Sequence, residues 1–88
     1  MLEGELLADS SKFAARFVRR GYLESVRGID RSASLSEEDV AVWARSLQGQ
    51  VRSGQSRIAT WADAKGLFRT WGVQRGVIRH FAPPEEPP

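Results

Sequence analysis

Aromatic and basic side chains concentrate in one stretch near the carboxyl end, residues 54–81. It holds Trp61 and Trp71, two of the three tryptophans in the chain. Among residues 51–82 there are six basic side chains and a single acid, Asp63. Indole and guanidinium groups are suited to binding flat or anionic surfaces. The stretch therefore predicts binding to a macromolecule.

No set of residues has a spacing that is typical of catalysis. The chain has no cysteine, and its one histidine, His80, follows Arg79 with no carboxylate near it in sequence. None of the serines lies in a nucleophile-elbow pattern, and no glycine pattern matches a phosphate-binding loop. A zinc site would need carboxylates for nearly all its ligands. The sequence predicts a protein that is not an enzyme and holds neither metal nor cofactor.

Residues 5–20 have the apolar spacing of a helix, with Phe13 and Phe17 on its inner face. Asp9 could instead start a shorter helix, and Gly21 is the expected stop. The basic residues of the last turns suit the negative end of the helix dipole. We assign them to a solvated face, with phosphate contact as the alternative: Arg16, Arg19 and Arg20. Residues 22–29 predict one or two further helical turns, and 28–34 a loop.

The clearest helix signal begins at Ser36. Ser36 is expected to cap the helix, with Asp39 as its partner three residues on, and Gly54 is expected to close the helix. One uninterrupted apolar stripe follows the cap: Val40, Trp43, Ala44, Leu47 and Val51. This helix is predicted to form the centre of the core, with Trp43 buried in it.

The same pattern recurs at Thr60, with Asp63 as the capping partner and Gly72 as the expected end of the helix. Its apolar face would consist of Trp61, Ala64, Leu67, Phe68 and Trp71. Residues 73–81 fit either a further helix or a short strand. The sequence as a whole predicts a small all-α domain of three to four helices over residues 1–82, with a flexible Pro/Glu tail at 83–88.

Charge is unevenly distributed although the formal net charge is only +2. Residues 1–50 carry seven basic and eight acidic side chains, whereas residues 51–82 carry six and one. No apolar run reaches the roughly 18–20 residues that cross a bilayer, and the amino terminus does not read as a secretion signal. These features predict a cytoplasmic protein that does not associate with membranes. A core this small would gain from a partner or from a second copy of the chain.

One hypothesis is DNA binding by a helix-turn-helix over residues 61–81. The segment WGVQRGVIRHF resembles the turn and recognition helix of many bacterial repressors. In this interpretation Gly72 and Val73 form the turn, and a set of polar and basic side chains contacts nucleic acid. That set is Arg57, Lys65, Gln74, Arg75, Arg79 and His80. The resemblance implies a transcriptional regulator whose binding weakens with salt.

The other hypothesis is binding to a protein, because tryptophan and arginine often dominate interfaces. The expected contact residues are Trp61, Phe68, Arg69 and Trp71. The segment GQSRIATWADAKGLFRTWGV is similar to the C-terminal, toxin-binding segment of small bacterial antitoxins of the ribbon-helix-helix and RelB-like groups. The matching positions are Gly54, Ile58, Thr60, Asp63, Trp71 and Gly72. The resemblance implies an inhibitor of a partner toxin that also represses its own operon.

Two further interpretations remain open at this point. Size and charge would equally suit a phage or mobile-element protein that blocks a host nuclease or nucleic-acid complex. Alternatively, the three tryptophans build a single core, and function lies with the arginines on its surface. We favour inhibition of a protein partner as the function.

Overall fold

The computed structural model describes residues 1–29 and 35–78. Five helices and no strand occur in these ranges. The helices are α1 (Leu2–Ala8), α2 (Ser10–Arg19), α3 (Tyr22–Ile29), α4 (Glu37–Arg52) and α5 (Trp61–Arg75). The all-α class is thus confirmed, with more helices than the three to four expected.

The extra helix arises at Asp9, where the expected single helix over residues 5–20 is interrupted. Asp9 has an extended backbone, and its side chain accepts a hydrogen bond from the Lys12 backbone N–H at 3.0 Å. It is therefore the cap of α2, while α1 ends before it. The change of direction lets both helices pack against α4. Gly21 ends α2 as predicted, with a φ of 87°.

Both predicted capping boxes are present. The Ser36 hydroxyl accepts from the Asp39 backbone N–H, and the Asp39 carboxylate accepts from the Ser36 N–H. Thr60 and Asp63 make the equivalent pair of bonds at the start of α5. At these two ends, each box satisfies backbone donors that have no partner within the helix.

The core lies between α2 and α4, which make the most extensive helix contact in the described structure. Trp43 is at its centre, 1% exposed, as the sequence predicted. Phe17 packs at its side, with ring centroids 4.9 Å apart. Phe68 of α5 meets Trp43 edge-on at 5.0 Å. Aromatic rings in these tilted arrangements contribute packing energy beyond the area they bury.

The predicted end of α5 at Gly72 is wrong, because the helix continues to Arg75 and Gly76 ends it with a φ of 87°. Gly72 has a different role. A Cβ there would lie 2.3 Å from the Ile78 Cδ1, so the missing side chain lets the chain fold back onto α5. The backbone N–H groups of Val77 and Ile78 also donate to the Gly72 carbonyl. The suggested strand does not form over 73–78, and residues 79–81 lie outside the described ranges.

The end of α3 decides between two overlapping expectations. Gly28 and Ile29 belong to α3, as the helical turns expected over residues 22–29 imply, and not to the loop expected over 28–34. The remainder of that loop, residues 30–34, and the expected C-terminal tail lie outside the described residues.

Candidate binding surface

Arg16 of α2 and Arg20, which directly follows the last residue of α2, lie over the ring of Trp61, the first residue of α5. The Cζ atom of Arg20 is 5.3 Å from the ring centroid, and that of Arg16 is 5.9 Å away. Both distances are within the range in which a guanidinium is attracted to the face of an indole. We call Arg16, Arg19, Arg20 and Trp61 the arginine-tryptophan surface.

Helical spacing brings the three arginines of this surface together. Positions three and four apart lie on the same face of a helix, so Arg19 and Arg20 both neighbour Arg16. The three side chains line a shallow hollow of about 320 Å³, which we call the arginine hollow. They occupy the last turns of α2, where the helix dipole favours positive charge.

Trp61 is held in place by other rings. It stacks on Phe13 at 5.0 Å and on Tyr22 at 5.8 Å, with an interplanar angle of 27° in each case. The capping box of α5 fixes the backbone directly before it. The indole is half-buried and so is part of the core on one side and of the surface on the other. A ring fixed in this way limits the positions that the guanidiniums of Arg16 and Arg20 can take.

The charge of the arginine hollow is only partly neutralised. Arg16 forms an ion pair with Glu5 of α1, in which both side chains are about 40% exposed. The side chains of Arg19 and Arg20 make neither a hydrogen bond nor an ion pair with any described residue. Three guanidiniums and one carboxylate leave a formal charge of +2. Two sets of guanidinium donors therefore remain available to an anion.

Carboxylates border this positive group. Glu5 lies against Arg16. Glu37 of α4 lines a separate hollow together with Val18, which directly precedes Arg19. Glu24 of α3 is held by Arg27 at 2.6 Å. Of these carboxylates, Glu5 lies directly against the arginine group, whereas the charge of Glu24 is balanced by Arg27.

Lys65 extends the positive charge beyond Tyr22. Its Nζ lies 5.9 Å from the Tyr22 ring centroid and 3.5 Å from the Ser25 hydroxyl. Because Tyr22 itself stacks on Trp61, the lysine belongs to the edge of the same surface. It is the one member of the predicted nucleic-acid set that the described structure connects to Trp61 through an intervening ring.

The predicted protein-binding set does not form one exposed face. Phe68 is 0% exposed, so its assignment as a contact residue is wrong. The 3.6-residue period of α5 turns it inward with Ala64 and Gly72. Arg69 is half-buried. Trp71 is also half-buried, stacks on Phe68 at 5.9 Å and has Arg75 over its ring at 5.3 Å.

The predicted nucleic-acid set is dispersed. Arg57, Gln74 and Arg75 are exposed, but Gln74 and Arg75 belong to the last turn of α5 and not to a second helix. The helix-turn-helix turn at Gly72 and Val73 is therefore wrong, because both residues are helical. The other two members of the set, Arg79 and His80, lie outside the described ranges.

Arg19 and Arg20 are exposed, as their assignment to a solvated face predicted, but sequence reasoning did not predict that Arg16 and Arg20 lie over Trp61. Their clustering in one helix was visible, but nothing near them in sequence indicated an aromatic partner. The sequence feature that could have indicated this contact is Trp61, which stands at the first position of a capped helix. A large ring at that place is only partly covered by its own helix and must pack against another element.

A second hollow, of about 370 Å³, lies between the amino terminus and the start of α5. Its two carboxylates are already engaged. Glu3 accepts from the Ile58 N–H at 3.0 Å, and Asp63 accepts from the N–H groups of Ala59 and Thr60. These bonds, with that from Ala59 the largest contribution, lower the pKa of Asp63 below its usual 3.8. We therefore regard this hollow as part of the packing between the amino terminus and α5, and not as a binding site.

No protein-family model matches this chain, and the comparisons with curated proteins and with solved structures produced no match either. In the described ranges, no helix has both the length and the apolar character needed to cross a bilayer. Residues 1–29 and 35–78 contain no group of three or more metal-ligating side chains of the His, Cys, Asp and Glu types.

Proposed function

We propose that this chain is a small, non-enzymatic regulatory protein that binds and inhibits a protein partner. The arginine-tryptophan surface is the docking site, and the matching face of the partner is acidic. The single observation that supports this most strongly is the placement of the Arg16 and Arg20 guanidiniums over the half-buried Trp61. The proposal concerns binding alone.

The types of residue in this surface favour a protein interface. Tryptophan and arginine are the residues whose removal most often costs a complex its affinity. Here the indole is rigidly packed and the guanidiniums lie on it, so little side-chain entropy is lost on docking. Arg19 adds a third cation within the same hollow. A preorganised group of this size matches the centre of a protein interface.

The extent of the positive region argues against nucleic acid as the main partner. Double-stranded DNA carries about one charge per 1.7 Å of its axis, so proteins that bind it usually present an extended basic stripe. Here Glu5 pairs with Arg16 at the arginine hollow, and Glu24 lies on the neighbouring helix α3. A long polyanion leaving the hollow would approach at least one of these carboxylates. A small acidic site on a protein could contact the arginines without approaching these carboxylates.

The resemblance to antitoxins supports inhibition as the consequence of binding. The positions that carry it also have structural roles in this chain. Thr60 and Asp63 cap α5, Gly54 follows α4 with a φ of 83°, and Gly72 accommodates Ile78. In this protein these positions therefore shape the start of α5 and its packing, and we place the partner contact on the neighbouring surface of α2 and Trp61.

Site-specific photocross-linking of the full chain in the cells that encode it tests the proposal. Ala15 is exposed on α2 one helical turn before Arg19, and Ser46 is exposed on α4. We expect a photoreactive residue at position 15 to give a nuclease-resistant adduct of defined mass, and the same group at position 46 to give none. The double change Arg19→Glu with Arg20→Glu should abolish the adduct.

The matched control is Arg45→Glu, which reverses the charge of an exposed arginine of α4 that makes no hydrogen bond, ion pair or ring contact with the described residues. It should leave the adduct intact. An adduct that persists in the Arg19→Glu, Arg20→Glu protein would rule out this docking surface. If nuclease destroys the adduct, the partner is a nucleic acid and not a protein.

A further inference from the structure

We propose that the arginine hollow is a subsite for two neighbouring carboxylates of an acidic peptide segment. This inference rests on the proposed function and specifies the chemistry that the partner must present. It concerns Arg16, Arg19 and Arg20, and it treats Trp61 as the residue that positions two of them.

The charges of the hollow determine the number of carboxylates. Glu5 already neutralises one guanidinium, and a formal charge of +2 remains among the three arginines. One carboxylate would leave the site positive, while two would balance it.

Donor geometry also suits carboxylates. The Arg20 guanidinium lies over the Trp61 ring and makes no hydrogen bond with a described residue, so its N–H donors remain available to a ligand. The planar fork of these donors matches the two oxygens of a carboxylate. Arg19 provides a second fork beside it, because its side chain has no other described partner.

The same arrangement disfavours a nucleotide. Proteins that bind single-stranded nucleic acid combine basic side chains with aromatic faces on which bases stack. The Trp61 ring already contacts Phe13 and Tyr22 as well as the guanidiniums of Arg16 and Arg20. A base could stack there only by displacing one of these groups. The hollow itself is lined by arginines alone.

Nuclear magnetic resonance on the isotopically labelled full chain tests the inference. The probes are a hexaglutamate peptide blocked at both ends, an oligothymidylate of equal charge, and inorganic phosphate, each at the same ionic strength. We expect the peptide to shift the indole N–H signal of Trp61 but not that of the buried Trp43. The Arg19→Glu, Arg20→Glu protein should bind the peptide at least about tenfold more weakly, and Arg45→Glu should change its affinity less than about twofold.

Three results would overturn the inference. Tighter binding of oligothymidylate than of hexaglutamate would make the hollow a phosphate-backbone site. Saturation by inorganic phosphate with the same affinity as the peptide would make it a general anion site. If none of the probes shifts the indole N–H signal of Trp61, the proposed subsite is wrong.

Failure of this inference can be distinguished from failure of the proposed function. If the peptide fails to bind but the cross-link to a partner still depends on Arg19 and Arg20, the docking surface stands and only the acidic-peptide subsite is lost. If the peptide binds but the cross-link is independent of both arginines, the subsite stands and the proposed docking surface is lost.

Discussion

The guanidinium of Arg20 lies 5.3 Å above the ring of Trp61, although α3 and α4 separate the two residues in the chain. This contact joins the last turn of α2 to the first turn of α5. Neither residue is fully buried, so the contact lies where the aromatic core reaches the surface. The proposed binding site therefore depends on the packing that holds these two helix ends together.

Replacing Trp61 should affect stability and binding together. We expect Trp61→Leu to lower the free energy of unfolding by about 1–3 kcal/mol, less than the loss at a fully buried tryptophan, because the indole is half-buried. It should also weaken hexaglutamate binding, since Arg16 and Arg20 lose the ring beneath them. Urea unfolding and peptide titration measure the two effects.

Trp71→Leu is the matched control for this change. Trp71 is also half-buried and has its own arginine, Arg75, over the ring. It should lower stability by a similar amount and leave peptide affinity unchanged. Unchanged peptide affinity in Trp61→Leu would show that the indole does not position the guanidiniums.

The two glycines of α5 should respond in opposite directions to alanine. A Cβ at Gly72 would lie 2.3 Å from the Ile78 Cδ1 and 2.6 Å from its Cγ1. We expect Gly72→Ala to destabilise the protein by about 1–3 kcal/mol, because the folded-back segment must move. A Cβ at Gly66 would meet no atom within 4 Å, so Gly66→Ala should stabilise by up to about 1 kcal/mol.

Thermal or urea unfolding of the two variants measures this difference. If Gly72→Ala were as stable as the parent protein, Ile78 would not be packed against α5 in solution. Equal destabilisation by both substitutions would mean that a ligand or a further part of the chain covers Gly66.

The Asp63 carboxylate should make stability depend on pH. Its pKa is lowered in the folded protein, chiefly by the hydrogen bonds from the backbone N–H groups of Ala59 and Thr60. A lowered pKa means that its contribution is present above the usual value of 3.8 and is lost as the pH falls through the folded value. Asp63→Asn should therefore be less stable than the parent protein at neutral pH, and the difference should shrink in acid.

Urea unfolding of both proteins at a series of pH values down to about 2.5 measures this difference. Glu38→Gln is the control, because Glu38 lies in the first turn of α4 but makes no hydrogen bond with a described residue. Its removal should produce a smaller pH-dependent difference. A difference for Asp63→Asn that stays constant from neutral to acidic pH would contradict the assigned role of the carboxylate.

Gln48 should hold α1 against α4. Its side-chain amide donates to the carbonyl oxygens of Leu6 and Leu7 at 3.0 and 3.2 Å. These carbonyls belong to the last turn of α1, where the helix itself supplies no donors. We expect Gln48→Met to destabilise by about 1–3 kcal/mol through the loss of these bonds.

Hydrogen exchange distinguishes this local effect from general loosening. The amides of α1 should exchange faster in Gln48→Met while those at the centre of α4 remain protected. Gln74→Met, at an exposed position in the last turn of α5, should leave both rates unchanged. Equal acceleration in α1 and α4 would mean that Gln48 supports the whole core and not the attachment of α1.

Features governed by a few neighbouring residues were predictable from the sequence. Ser36 with Asp39 and Thr60 with Asp63 form their capping boxes within three positions, and Gly21 ends α2 through its own backbone freedom. The placement of Trp43 in the core followed from the apolar period of a single helix. These features depend only on local hydrogen bonds, backbone preferences and the distribution of apolar residues around one helix.

Tertiary structure alone decided which cations lie beside which tryptophan. The sequence showed the arginines of α2 and the indole of α5 separately, but their contact depends on how α2 and α5 pack around α4. It also decided that position 72 has no room for a side chain, because Ile78 folds back onto it. The physical reason is the same in both cases. Such contacts join residues that no hydrogen bond or helical period connects along the chain, so their geometry is set only when the helices pack.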